Sequence, residues 1–160
     1  MTTLGERFKK FNIHAIMAGP LVRTRQSADI IAEIIACPVI TDERLTDILI
    51  SHWDGLAKEE IKRRFGSQYP DWQAHPESFC LPDCETLHQV QQRASLLLED
   101  VFQEYQGKKI VLVSHLVVLR CLALQYKKLP LSDYRTIDIA NGSICMLERA
   151  ADGKTKIKDL

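Results

Sequence analysis

Neither sign of charge prevails in this 160-residue chain: lysine and arginine together number 21, and so do aspartate and glutamate. A chain without excess positive charge presents no field that would gather a nucleic-acid backbone or an anionic membrane surface, so neither is expected as a partner. No apolar run approaches the roughly 18 residues that a membrane span needs, and the first residues lack the basic-then-apolar order of a secretory leader. These absences point to a cytoplasmic protein. Repeats and low-complexity tracts are missing too. The 5 cysteines, odd in number and irregular in spacing, make no disulfide framework. Cys80, Cys84 and His88 recur every four residues, which on a helix would align three metal ligands. Pro82 interrupts any such helix and no fourth ligand accompanies them, so the reading is reduced thiols, no metal and no cofactor.

What is present reads as one soluble globular domain over residues 1–160, with apolar residues at 46% and charged residues at 26%, enough to bury a core. Helical and extended patterns alternate along it. Thr3 to Phe11 is short, charged and helix-like, and Ile13 to Met17 is an apolar strand ended by Gly19-Pro20. Thr24 to Ile35 has apolar residues at helical spacing, and Pro38 to Thr41 reads as a second strand. A loop over 42–55 precedes a polar helix over Ala57 to Phe65. Residues 66–84, rich in Pro, Ser, Asp and aromatics, read as a variable, lid-like loop. Glu85 to Tyr105 places Leu87, Val90, Ala94, Leu97, Leu98, Val101 and Phe102 on one broad face of a long helix. Ile110 to Val113 is a continuous apolar run of the kind buried on both faces of a sheet. An apolar helix over Val117 to Tyr126 and a last strand over Ser143 to Glu148 follow. Strands separated by helices predict an α/β fold with a mainly parallel sheet flanked by helices.

In such sheets ligands bind beyond the carboxyl ends of the strands. Arg23 follows the first of these strands, Asp47 lies in the loop after the second, and His115 directly follows Ile110–Ser114 and opens a helix. A guanidinium binds an oxyanion through two parallel N–H bonds, a helix start adds backbone donors, and a carboxylate can carry a proton. The three together suit a phosphate ester. Position alone leaves each open to a structural role, and Arg25 competes with Arg23.

Five segments then resemble, in order, the histidine phosphatase (phosphoglycerate mutase-like) superfamily. Pro20-Leu-Val-Arg-Thr-Arg-Gln-Ser-Ala28 resembles S-x-L-x-R-[AT]-x-Q-T-A, and Leu45-Thr-Asp-Ile-Leu-Ile-Ser-His-Trp-Asp-Gly55 is similar to L-x-E-x-x-x-G-x-W-E-G. Pro82-Asp-Cys-Glu-Thr86 stands for P-G-G-E-S, Val111-Leu-Val-Ser-His115 for V-x-V-S-H-G, and Asn141-Gly-Ser143 for N-[GA]-S. The resemblance implies a phosphoglycerate mutase-like fold acting on or binding phosphate esters. Arg23 would lie in the phosphate pocket, His115 would stabilise the transferring phosphoryl group, and Asp47 would protonate the leaving oxygen. The implied partner is phosphate or a small phosphorylated substrate. Asp47 replaces the usual Glu, Leu116 replaces a glycine where its side chain would crowd a phosphate, and Ser51 replaces another glycine.

The same resemblance implies an incomplete site. The family's nucleophile is the histidine of an R-H-G motif on its first, central strand, and no Arg-His-Gly occurs in these 160 residues. That strand would fall before Met1, which implies an N-terminally incomplete domain lacking its first central strand. A shortened chain, a degenerate relative or a rearranged sheet would each account for it. Of the other histidines, His14 is expected away from the ligand edge, His52 near the site mouth, and His75 and His88 in or just past the variable loop. The expected function is therefore a phosphatase- or phosphomutase-like domain inactive as given. The alternative is a non-catalytic module binding phosphate esters or a protein.

Overall fold

A computed structural model describes residues 1–150 and 152–159. Helix α1 (Thr2–Phe8) passes into a tight turn over Lys9–Phe11. Asn12, at φ 51°, then takes the left-handed conformation that asparagine tolerates and redirects the chain into β1 (Ala15–Ala18). All four residues of β1 are buried, because it is the middle strand of a three-stranded sheet. Strand β2 (Val39–Thr41) pairs with one edge of β1 and β3 (Ile110–Val113) with the other, both parallel.

Helix α2 (Val22–Ile35) carries the chain from β1 to β2. Its Ala28, Ile31 and Ala32 pack with Phe8, Ile16 and Ala18 on one face of the sheet. Helix α5 (Leu87–Glu104) covers the other face beside α6 (Leu116–Lys127), and the two share a cluster with Tyr134 and Ile137. A reciprocal capping box starts α5: the Gln89 backbone N–H donates to the Thr86 hydroxyl, and the Gln89 side chain accepts from the Thr86 N–H. Among the described residues no helix is long and apolar enough to cross a membrane.

Three sequence expectations change. Residues 66–84 are not all loop: after α3 (Lys58–Phe65), helix α4 (Gln68–Ala74) forms there, with Pro70 in its first turn, where a missing N–H is harmless. The last expected strand, β4 (Cys145–Arg149), starts two residues and ends one residue later than the apolar pattern and pairs antiparallel with β5 (Thr155–Asp159), which that pattern did not show. The pair makes a second sheet of two strands. Finally, β3 packs on both faces, Val111 and Val113 against one core and Leu112 against the other, but is not fully buried. Its four residues are all partly exposed, because only one of its edges is paired among the described residues.

The carboxyl end of β1 is held close to the segment after β2. Ser114 donates its hydroxyl to the Leu45 carbonyl at 2.7 Å, and the Gly19 N–H donates to the Val113 carbonyl at 3.2 Å. A Cβ on Gly19 would lie 2.6 Å from the Leu45 carbonyl oxygen, which is backbone and cannot swing aside. Gly19→Ala is therefore expected to lower stability by about 1–3 kcal/mol, read as a lower urea midpoint at unchanged slope. An unchanged midpoint would mean that this contact opens freely.

Candidate functional site

The chain runs from β1 to β2 on one side of the sheet centre and returns to β3 on the other, so β1 and β3 flank the point where strand order reverses. Ligands of open α/β sheets bind beyond the carboxyl ends of the strands at such a point. Three loops meet there. After β1, the Thr24 hydroxyl donates to the carbonyls of Gly19 at 2.9 Å and Leu21 at 2.7 Å, pinning the first turn of α2 and with it Arg23. After β2, Asp47 accepts its neighbour's backbone N–H, from Ile48, at 2.9 Å. After β3, His115 is the N-cap residue of α6, whose first turn has no side-chain cap.

All three sequence candidates come together. Arg23 Nη2 donates to Asp47 Oδ2 at 2.8 Å and Arg23 Nε donates to His115 Nδ1 at 3.2 Å, while His115 Nδ1 lies 3.5 Å from Asp47 Oδ2. A guanidinium N–H can only donate, so Nδ1 is an acceptor and the imidazole proton sits on Nε2. Nε2 is buried and has no hydrogen-bond partner. The site thus holds an N–H donor without an acceptor, beside a guanidinium whose side chain is 62% exposed and the uncapped start of a 12-residue helix. All three features favour an anion. Leu116, placed by sequence where it would crowd a phosphate, is the first residue of α6 and 43% exposed.

Burial holds the His115 pKa below its usual value; Arg23 and Arg93 push the same way and the Asp47 carboxylate opposes them. The contact with Asp47 is therefore not an ion pair at neutral pH. In acid the unfolded chain takes up this proton before the folded one does. The stability contributed by neutral His115 is complete above the unfolded value of about 6.5 and is lost as pH falls from there through the lowered folded value. The urea midpoint is expected to fall more steeply between pH 7.5 and 5.5 in the parent than in His115→Gln. The other four histidines, all exposed, are common to both chains. Parallel slopes would refute the assignment.

Sequence reasoning missed the residues that hold Asp47. Arg93 on α5 forks onto Glu85 with bonds of 2.6 and 2.9 Å, and also donates to the carbonyls of Arg44 at 2.6 Å and Asp47 at 3.2 Å. Glu85 in turn accepts from the Leu49 N–H at 3.2 Å. The signals were a charge at position 93, between Val90 and Leu97 on the apolar face of the helix, and Glu85 at the glutamate of the Pro82–Thr86 segment.

The other histidines are engaged elsewhere. His52 lies 3.8 Å from the Cys84 sulfur and stacks on Phe65, and His14 lies against Tyr105 near the start of β1. His75 is 3.7 Å from Glu77, and His88 lines a groove on the outer surface of α5 and α6. The thiol of Cys121 is buried and pushed up to about 12 by desolvation, which makes it inert.

The sequence profile of the histidine phosphatase superfamily (branch 1) matches residues 1–159. Among curated relatives, a probable phosphoglycerate mutase GpmB of Klebsiella pneumoniae is 30% identical over 152 residues, covering 91% of this chain and 67% of the relative. Phosphoserine phosphatase 1 of Hydrogenobacter thermophilus is 26% identical over 144 residues, covering 90% and 68%. Among solved structures, Bacillus stearothermophilus YhfR superposes with a TM-score of 0.93 at 24% identity, over 99% of this chain and 78% of that one. A mycobacterial glucosyl-3-phosphoglycerate phosphatase gives 0.83 at 19% identity, over 99% and 80%. A profile match over nearly the whole chain, on a parallel sheet of matching fold, makes this protein a member of the histidine phosphatase superfamily (branch 1).

Proposed function

We propose that the chain binds phosphate or a small phosphate ester at Arg23, Asp47 and His115, and that it turns such esters over little or not at all. The observation that carries the reading is the buried, unpartnered Nε2–H of His115 beside the exposed Arg23 guanidinium. A buried donor without an acceptor costs about 1–3 kcal/mol. An oxygen of a phosphate group in the site would remove that cost while its other oxygens took the Arg23 fork. Relatives point to the same ligand chemistry: they include a phosphoserine phosphatase, and a mycobacterial phosphatase was solved with VO3.

In this reading Arg23 binds the phosphoryl oxygens, His115 stabilises the charge that builds on them, and Asp47 delivers a proton to the leaving oxygen. In-line transfer also needs a nucleophile fixed about 3 Å from phosphorus. No Arg-His-Gly is present, and the histidines at 14, 52, 75 and 88 are held by other partners or surfaces. Phosphate or orthovanadate is expected to raise the melting temperature, and p-nitrophenyl phosphate to be hydrolysed no faster than by His115→Ala. Robust hydrolysis lost in His115→Ala would refute the missing nucleophile. Absence of any protection by either anion would refute the phosphate site.

A further inference from the structure

Single exposed leucines are ordinary on a protein surface; what matters is where they stand. Among the described residues the two most exposed large apolar side chains are Val22 at 70% and Leu49 at 57%, and Leu116 is exposed as well. Each belongs to one of the three segments that build the phosphate site. Val22 precedes Arg23, Leu49 comes two residues after Asp47, and Leu116 follows His115. None of them is free to turn inward. Val22 and Leu116 are the first residues of α2 and α6, and the Cα–Cβ bond of a helical residue tilts toward the helix N-terminus, here the ligand edge of the sheet. Leu49 is held through its backbone: its N–H donates to the Glu85 carboxylate at 3.2 Å, and its carbonyl accepts from the Glu85 N–H at 2.7 Å. Its neighbour Ile48 packs against the α5–α6 cluster, which leaves Leu49 the solvent side. The charges beside these segments are engaged with one another, Arg44 with Asp42 and Asp100, and Arg93 with Glu85.

We propose that Val22, Leu49 and Leu116 select the alcohol half of the ester: the site takes phosphate monoesters of aromatic or branched aliphatic alcohols ahead of those of sugars, hydroxy acids or serine. The proposal rests on the phosphate site argued above. One or two residues of chain, at about 3.8 Å between successive Cα atoms, keep all three within reach of a substituent whose phosphate sits on Arg23 and His115. An apolar substituent covers alkyl surface that water now faces, and the gain grows with the area covered. A sugar hydroxyl or a serine carboxylate set against the same side chains loses water and finds no donor or acceptor in them. Leu116 stands where the resembled V-x-V-S-H-G segment has glycine, so this part of the wall is added to the motif rather than carried by it.

Phosphonates, which resist hydrolysis, separate binding from turnover. Naphthylmethylphosphonate, methylphosphonate and the phosphonate analogue of phosphoserine are titrated calorimetrically into the 160-residue chain, with and without competing phosphate. The naphthyl ligand is expected to bind about tenfold tighter than methylphosphonate and to be displaced by phosphate. The serine analogue should bind no tighter than methylphosphonate. Leu49→Ser and Leu116→Ser should each cut the naphthyl-to-methyl affinity ratio about threefold. Ile30→Ser, which removes an exposed apolar side chain elsewhere on α2, should leave that ratio as it is. A ratio near unity, a ratio untouched by both leucine variants, an equal loss in Ile30→Ser, or naphthyl binding that phosphate does not displace would each overturn the selection and leave the phosphate site standing. Failure of methylphosphonate and phosphate alike to bind would overturn the phosphate site, and this proposal with it.

Discussion

Arg93→Ala is expected to cost about 3–5 kcal/mol of stability, the largest loss from any single side chain at the site. The Arg93 and Glu85 side chains are only 18% and 17% exposed and bond to each other through a complete fork. Truncating the arginine strands a nearly buried carboxylate and strips the Arg44 and Asp47 carbonyls of their donor. Arg93→Lys keeps the charge but supplies no planar fork, so it should recover only part of the loss. The pair is separable from its surroundings by a double-mutant cycle. Glu85→Ala with Arg93→Ala should cost clearly less than the sum of the singles, because the second change removes an already orphaned partner. Denaturant midpoints of the four proteins give the coupling. A loss under about 1 kcal/mol for Arg93→Ala would place the pair with ordinary surface salt bridges and leave Asp47 without its support.

Arg93 also shows where the sequence stopped being legible. Arg23, Asp47 and His115 were readable because each follows a strand, and a parallel sheet sends the carboxyl ends of its strands to one edge. Ile110–Val113 was bounded to the residue, since four β-branched or leucine residues between Lys109 and Ser114 leave no room for another strand. The partners of Arg93 leave no comparable trace. Two are backbone carbonyls, which every residue carries, and Glu85 comes within reach only when the start of α5 folds against the 44–49 segment. Helix α4 was hidden by a composition that suits loops. Strand β5, Thr-Lys-Ile-Lys-Asp, has one apolar residue in five, because its hairpin offers the core a single side chain there, Ile157. The burial of β3 was over-read for a different reason. A continuous apolar run reports the environment it is suited to, and which edges of β3 are paired among the described residues is a property of its neighbours.

Arg23→Ala should weaken phosphate and orthovanadate binding about a hundredfold, the value of two charge-assisted hydrogen bonds, while moving stability by less than about 1 kcal/mol. The split follows from geometry. The Arg23 side chain is 62% exposed and its ion pair with Asp47 faces solvent, so the fold gains little from it. The guanidinium nonetheless orders the site, giving one nitrogen to Asp47 and another to His115 Nδ1, and so keeps the His115 proton on the buried Nε2. Loss of Arg23 removes an anion donor and also releases the imidazole to the other tautomer, which points a lone pair at the ligand. Arg23→Ala and His115→Ala should therefore be non-additive in affinity, with a coupling of about 1 kcal/mol or more. Asp47→Asn carries the opposite sign. The carboxylate competes with phosphate for the same Arg23 nitrogen, 2.8 Å away, so neutralising it should tighten binding. Calorimetric titration of phosphate into the three single variants and the double variant reads all of these. Binding by Arg23→Ala within threefold of the parent, or weaker binding by Asp47→Asn, would show that the anion does not sit between these three side chains.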